Sequence, residues 1–114
     1  MKMPGLVRAV VQKDKIRSYL LSETHPTGRA KAIFFSGYGF EPKAWEELAE
    51  ALVRHAASHE VAAIEESRFG VKYTIEGPLE TPDGRNPRVR VVWFMRKGER
   101  APRLVTAYPC REGV

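Results

Sequence analysis

The chain has few of the residues and runs that mark secreted, membrane-bound or disulfide-stabilised proteins. Cys110 is the single cysteine among 114 residues, so an internal disulfide bond is excluded. No apolar run approaches the roughly 20 residues that a membrane-spanning helix needs. The N-terminal stretch MKMPGLVRAVVQKDK lacks a continuous apolar region followed by a small-residue cleavage site. These absences predict a cytoplasmic protein without a membrane partner.

Signatures of metal and nucleotide sites are also absent. Cys110 has no cysteine or histidine companions at zinc-ligand spacing, and Gly28 alone does not form a glycine-rich nucleotide loop. His55 and His59 have the i, i+4 spacing of helical metal ligands, but no third ligand lies in register. We interpret them as cations at the end of a helix, where the helix dipole favours positive charge. The sequence therefore predicts neither a metal nor a cofactor.

Length and charge limit the organisation and the partners. An apolar fraction of 43% in 114 residues suffices for one core, so we expect one domain, 1–114, with 1–12 as an extended N-terminal arm. The net charge of +5 is divided into +5 over residues 1–40, −5 over 41–67 and +5 over 68–114. Such a division favours a polyanion on the basic surface, or it keeps a mixed surface soluble.

Helical periodicity dominates the first half of the chain. Lys13 opens a short first helix, and Thr27 is the predicted N-cap of a second helix that Gly39 ends in a left-handed cap. Pro42 suits the first turn of a third helix that runs to about Ala57. The predicted side of the second helix carries Ala30, Ile33, Phe34, Gly37 and Tyr38. The apolar stripe of the third helix carries Trp45, Leu48, Ala49, Leu52, Val53 and Ala56.

The second half consists of four β-rich runs separated by turn sequences, namely VAAIEE, VKYTIEG, RVRVVWFM and RLVTAYP. Strands joined by such short links pair antiparallel. We therefore predict an α+β domain with about three N-terminal helices packed on a four-stranded antiparallel meander. Alternation places one set of side chains in the core, Val71, Tyr73, Ile75, Val89, Val91, Trp93 and Met95. The opposite face then carries Lys72, Thr74, Glu76, Arg88, Arg90, Val92 and Phe94.

The stretch THPTGRAK supplies the first group of candidate functional residues. His25 is the best candidate for a general acid or base, and the alternative is a turn histidine that bonds to the backbone. Gly28, Arg29 and Lys31 lie where a helix start offers unpaired N–H groups, and two cations there favour a bound phosphate over simple helix stability.

The last strand supplies the second group. Thr106 and Tyr108 point to one side of that strand, and Val105 and Ala107 point to the other. Their hydroxyls suit phosphate oxygens. The alternative is that Tyr108 closes the edge of the core while Thr106 is an ordinary strand residue.

The ordered segments HPTGRAKAIFF, FGVKYTIEG, PDGR, VRVVWF and PRLVTAYP resemble a bacterial family of small domains of unknown function, found alone or at the ends of polymorphic toxin chains. The resemblance covers about Leu6 to Pro109. The order of elements is also similar to the fold group of barnase, EndoU, colicin E5 and RelE-type ribonucleases, which is an analogy of fold. The positions that match the family's motifs are His25, Gly28, Lys31, Arg90, Trp93, Thr106 and Tyr108.

The resemblance and the charge pattern together generate the functional hypotheses. The leading one is a metal-independent, toxin-related RNA endonuclease in which His25 transfers protons. Lys31 and Arg90 neutralise charge, and Thr106 and Tyr108 orient the phosphate. Gly28, Arg29 and Arg88 would help to bind phosphate. The alternatives are a non-catalytic partner of an acidic protein, such as an antitoxin or immunity protein, and an RNA-binding module without chemistry. The oligomeric state is not predicted.

Overall fold

The structure, a computed structural model, describes residues 1–22 and 24–110. Within these residues all helical elements precede the strands, and they include short 3-10 turns at Leu6–Arg8 and Pro42–Ala44. The helices are α1 (Lys13–Lys15), which continues as a π-helix over Ile16–Leu20, α2 (Arg29–Gly37) and α3 (Trp45–Ser58). The strands are β1 (Val61–Ser67), β2 (Gly70–Pro78), β3 (Arg88–Arg96) and β4 (Arg103–Pro109). The predicted α+β class is confirmed.

The four strands form one antiparallel sheet in the order β1-β2-β3-β4, which confirms the predicted meander. The turns into β2 and out of β3 contain Gly70 and Gly98 at φ angles of 150° and 86°, a region that residues with a Cβ rarely adopt. Between β2 and β3 the pairing is continuous, from Gly70 opposite Arg96 to Pro78 opposite Arg88. This unbroken register fixes which β2 and β3 side chains share a face.

One face of the sheet and the helices enclose the core, as the alternation predicts. Val89, Val91 and Trp93 are fully buried, and Leu48 and Leu52 of α3 belong to the same apolar cluster. Tyr73 and Ile75 are buried in the same cluster, as predicted. Phe34 and Trp45 pack against the cluster and stay partly exposed. The core therefore combines the apolar stripe of α3 with alternate residues of β2 and β3.

The predicted side of α2 is wrong in part, because Phe34 packs against the core whereas Ala30, Ile33 and Gly37 are exposed. Ile33 is 61% exposed, whereas Ala32 and Phe35 are fully buried. Gly28 is buried as well, and positions 28, 32 and 35 follow the i, i+4, i+7 spacing of one helix face. The buried side of α2 is thus rotated relative to the predicted side, because Gly28 packs tightly at the start of the helix. The end of α2 agrees with expectation, because Gly39 has a φ of 103° and its N–H donates to the carbonyl of Ser36.

The segment before α1 packs beside the last strand. Val10 forms an isolated parallel bridge with Arg103, with hydrogen bonds from Val10 to the Pro102 carbonyl and from Leu104 to the Val10 carbonyl. Met3 is buried in the core. This segment therefore covers part of the β4 edge, while β1 forms the opposite edge of the sheet. The division into one domain with an arm over residues 1–12 stays a prediction.

His55 is a buried core residue, which corrects its interpretation as a cation at a helix end. Its ring is 3% exposed, and Nε2 lies 3.1 Å from the carbonyl oxygen of Gly77, to which it donates. Burial lowers the pKa of His55 to about 4 despite this hydrogen bond, and the neighbouring His59 and Arg88 charges act in the same direction. His55 is therefore neutral near pH 7 and ties α3 to β2.

We expect Trp93→Ala to lower the free energy of unfolding by about 3–5 kcal/mol, because it removes the largest fully buried side chain from the core. Urea denaturation measures the change. Phe69→Ala is the matched control, since Phe69 is 65% exposed, and it should cost less than about 1 kcal/mol. Equal losses for the two variants would contradict the assignment of the sheet faces.

We expect His55 to make the protein less stable as the pH falls below 6.5. The unfolded chain then binds a proton that the folded chain, with its pKa of about 4, does not bind. The loss should reach about 2 kcal/mol between pH 7 and pH 5 and level off below pH 4. Urea denaturation across this range should show a smaller loss for His55→Gln than for the parent. A His55→Gln profile parallel to the parent would count against this account.

Candidate functional site

A β-bulge in the last strand determines which side chains reach the outer face of the sheet, the face opposite the core. Val92 pairs with Thr106, but Trp93 pairs with Leu104, so Val105 is an extra residue. Without this extra residue, Leu104 and Thr106 would point the same way. The bulge lets Leu104 stay in the core while Thr106 and Tyr108 turn to the outer face.

Glu76, Arg90 and Tyr108 form one row across the outer face. They stand opposite one another on β2, β3 and β4, so their side chains project to the same side. The Arg90 guanidinium donates to the Glu76 carboxylate and lies 5.7 Å from the centre of the Tyr108 ring. Hydrogen bonding to Tyr108 and then to Glu76 raises the pKa of Arg90 above its already high range. Arg90 is thus a permanent and half-exposed positive charge.

Tyr19 connects the helices to Thr106, which lies on the outer face two residues before Tyr108. Its hydroxyl lies 3.1 Å from the Thr106 hydroxyl, and the ammonium groups of Lys15 and Lys31 are each 5.3 Å from the centre of its ring. Partial burial raises the pKa of Tyr19, but the Thr106 hydrogen bond and the two lysines outweigh burial and lower it below 10. Tyr19 is therefore an unusually acidic phenol.

His25 organises the entry into α2. Its Nδ1 accepts hydrogen bonds from the backbone N–H groups of Thr27 at 3.1 Å and Gly28 at 3.0 Å. The predicted N-cap at Thr27 is wrong, since Gly28 holds that position and the His25 ring supplies the acceptor for the free N–H groups. With Nδ1 as an acceptor, the neutral ring carries its hydrogen on Nε2. The His25 ring also meets the Tyr19 ring edge-on, with 5.0 Å between centroids.

Gly28 allows the close approach between α2 and the π-helix. A Cβ at this position would lie 2.2 Å from the carbonyl oxygen of Tyr19, a backbone atom that cannot move aside cheaply. This contact explains the glycine without a ligand. It also holds Lys31, one turn further along α2, beside the Tyr19 ring.

The structure places the predicted site residues in three groups: those around Tyr19, the pair of Arg90 and Tyr108, and the separate cations Arg29 and Arg88. Tyr19 links His25, Lys31 and Thr106 in one set of contacts, and Arg90 contacts Tyr108 two residues further along β4. Lys31 also donates to the Thr27 carbonyl at 3.4 Å. Arg29 is exposed on the first turn of α2. Arg88 pairs with Pro78 at the end of the β2–β3 ladder, where its charge acts on His55.

The sequence reasoning did not single out Tyr19 or Glu76 as candidate site residues. Tyr19 read as an apolar residue of the first helix, and Glu76 read as one of several polar residues on the outer face. The strict alternation of β2 and β3 contained the signal for Glu76, because it places this carboxylate and Arg90 on one face. No local signal identified Tyr19, since its partners Lys31 and Thr106 are distant in sequence.

The described residues also bear on metal binding and on membrane insertion. Within 1–22 and 24–110, no three or more His, Cys, Asp or Glu side chains are grouped so that they could hold a metal ion. No helix in the same part of the chain has the length and apolar character needed to cross a membrane.

We expect the ionisation of Tyr19 to respond to Lys31. A spectrophotometric titration at 295 nm should show a tyrosine that ionises below the usual pKa of 10 and disappears in Tyr19→Phe. Lys31→Met should raise this pKa because it removes a positive charge beside the phenolate. The control is Lys43→Met, which removes a lysine that pairs with Glu41 on the surface. An unchanged titration in Lys31→Met would show that the two side chains do not interact.

Comparison with known proteins identifies the fold and the family. A chain in the solved structure of a contact-dependent growth inhibition toxin–immunity protein complex from Klebsiella pneumoniae 342 superposes with a TM-score of 0.69 and 17% sequence identity. The match covers 90% of this chain and 100% of that chain, and it shows a shared fold. No curated protein matches the sequence. A family model described as a domain of unknown function, DUF6883, matches residues 2–111, and the chain therefore belongs to the DUF6883 family.

Proposed function

We propose that the chain is a metal-independent RNA endonuclease-like domain of a toxin system. The observation that carries the proposal is that Thr106, which contacts Tyr19 beside Lys31, lies next to the Glu76–Arg90–Tyr108 row on the outer face. Thr106 and Tyr108 are two residues apart on one face of β4, which corresponds to about 7 Å between their Cα atoms. One phosphate group can therefore contact both hydroxyls.

Charge on the phosphate is neutralised by two cations in this proposal. Arg90 offers a planar guanidinium whose remaining N–H groups can donate to a phosphate oxygen, and Lys31 approaches from the helical layer. The hydroxyls of Thr106 and Tyr108 orient the group between them. These donors are already in place before the substrate binds, which favours stabilisation of the doubly charged phosphorane.

Cleavage requires two proton transfers on opposite sides of the phosphorus atom. The Glu76 carboxylate accepts the proton of the RNA 2′-hydroxyl as O2′ forms a bond to phosphorus. The Tyr19 hydroxyl gives its proton to the 5′-oxygen as the bond between that oxygen and phosphorus breaks. The products are a 2′,3′-cyclic phosphate and a free 5′-hydroxyl. Lys15 and Lys31 stabilise the phenolate that Tyr19 becomes. Solvent then removes the proton from Glu76 and returns a proton to Tyr19, which restores the starting state.

The role of His25 as proton shuttle stays a prediction. Its Nδ1 is engaged by two backbone N–H groups, so its Nε2–H is available as a hydrogen-bond donor to a phosphate oxygen. These contacts favour Glu76 and Tyr19 for the proton transfers themselves.

A second candidate function is the binding of a protein partner. An open cavity of about 510 Å³ lies between α3 and the segment before α1, with Trp45 and Val53 in its lining and Glu46 and Glu50 beside them. The similar fold occurs in a contact-dependent growth inhibition toxin–immunity protein complex. The cleavage of RNA decides between the two roles, because the immunity role requires no nuclease chemistry.

We expect the purified protein to cleave single-stranded RNA in the presence of a chelator and to leave 2′,3′-cyclic phosphate ends. Arg90→Ala should lower kcat/KM by about 10²–10³-fold, because it removes a donor aimed at the developing charge. Arg54→Ala is the matched control, since Arg54 forms a similar surface pair with Glu80 on another side of the molecule. Product ends can be mapped by mass spectrometry.

Further variants separate the assigned roles. Glu76→Gln and Tyr19→Phe should each lower kcat by about 10²–10⁴-fold with little change in melting temperature. His25→Asn keeps an acceptor for the backbone N–H groups and should retain most activity. If His25→Asn abolishes cleavage in a folded protein, His25 is the proton shuttle and the roles of Glu76 and Tyr19 are wrong. If the parent cleaves no RNA, the partner function takes precedence.

A further inference from the structure

An aromatic side chain lies between two cations on the outer face, away from the Glu76–Arg90–Tyr108 row. Phe94 of β3 stands opposite Lys72 of β2 and Arg103 of β4, so the three side chains project to the same side of the sheet. Phe94 is four residues from Arg90 on the same strand. The two rows are therefore separated by about 13 Å along the sheet.

The Phe94 ring extends along the sheet and is not enclosed by it. A Cβ at Gly70 would lie 2.9 Å from the Cζ atom of Phe94, so the glycine leaves the space that the ring occupies. Phe94 is only half-buried, in contrast to the fully buried Trp93 beside it in sequence. Part of this aromatic side chain is thus accessible next to positive charge.

The flanking cations can exchange their present partners for a phosphate. Lys72 pairs with Glu65 at 3.1 Å and Arg103 pairs with Glu99 at 3.4 Å, and both cations are about 40% exposed. Half-exposed surface ion pairs contribute only about 0–1 kcal/mol, so a nucleic acid backbone can replace one carboxylate at small cost. The cations of β2, β3 and β4 with this orientation are Lys72, Arg88, Arg90, Arg96 and Arg103.

We propose that Phe94, with Lys72 and Arg103 beside it, forms a base-stacking subsite for single-stranded RNA. The inference rests on the proposed function and adds the substrate class, a flexible strand whose unpaired base stacks on Phe94 while a nearby phosphate occupies the row with Arg90. Stacking on an aromatic ring beside a cationic track is how single strands are bound without base-specific hydrogen bonds. The subsite therefore selects unpaired over duplex RNA and shows little base preference.

A set of uncleavable 2′-deoxy hexanucleotides, each lacking one base, tests the subsite through fluorescence anisotropy at low salt. For the parent protein, removal of the base that stacks on Phe94 should weaken binding by about tenfold, and removal of a base at the strand's far end should have less effect. In Phe94→Leu the intact strand should bind about tenfold more weakly, and the loss on base removal should vanish. Phe94→Tyr keeps a ring and should behave like the parent.

Each result has a separate meaning. If removal of each base weakens binding by the same factor in Phe94→Leu as in the parent, the stacking subsite is wrong. The proposed cleavage function can still hold in that case. If the hexanucleotides show the coupling but RNA is not cleaved, the subsite stands and the endonuclease function fails. If the parent binds none of the strands, or if no missing base weakens its binding, the stacking subsite is overturned, and the cleavage assay alone then decides the proposed function. The second of these results needs only the parent protein, so the subsite can be overturned even when Phe94→Leu is unfolded.

Discussion

The bulge at Val105 is the local constraint on which the candidate site depends. The alternation of a regular strand would place Leu104 and Thr106 on one side, so either the core would lose Leu104 or the outer face would lose the hydroxyl of Thr106. One extra residue in β4 removes this conflict. It allows the same short strand to seal the core near Trp93 and to present Thr106 and Tyr108 beside the Arg90 charge.

The regular parts of the fold follow directly from the sequence. The four strands, their antiparallel order and the faces of β2 and β3 were predictable because alternation and short turns leave few arrangements. The length of α3 was predictable from its periodic apolar residues. The side of α2 that packs inward was not, because it depends on how closely Gly28 approaches the Tyr19 carbonyl, where a Cβ would lie only 2.2 Å from the oxygen. The identity of the residue before the helix does not reveal such a contact.

Part of the site could be predicted for the same reason, and part could not. Arg90 and Tyr108 carried recognisable chemistry on predicted strands, and the alternation of β2 even placed Glu76 on their face. Tyr19 joins the candidate site only through residues far along the chain. His55 was interpreted as a helix-end cation although it lies three residues after Leu52 on the apolar stripe of α3, because the sequence does not show that the Gly77 carbonyl accepts its hydrogen bond. Pattern reasoning locates side chains on an element, whereas pairing between elements determines their protonation and their partners.

Two lysines near Tyr19 bear on the proposed phosphate site. The ammonium groups of Lys15 and Lys31 each lie 5.3 Å from the centre of the Tyr19 ring. Like charges held near one another cost folding free energy, and contact with the face of an aromatic ring offsets part of that cost. In the proposed function, a bound phosphate supplies negative charge beside the same two cations, so its binding would offset the remaining repulsion.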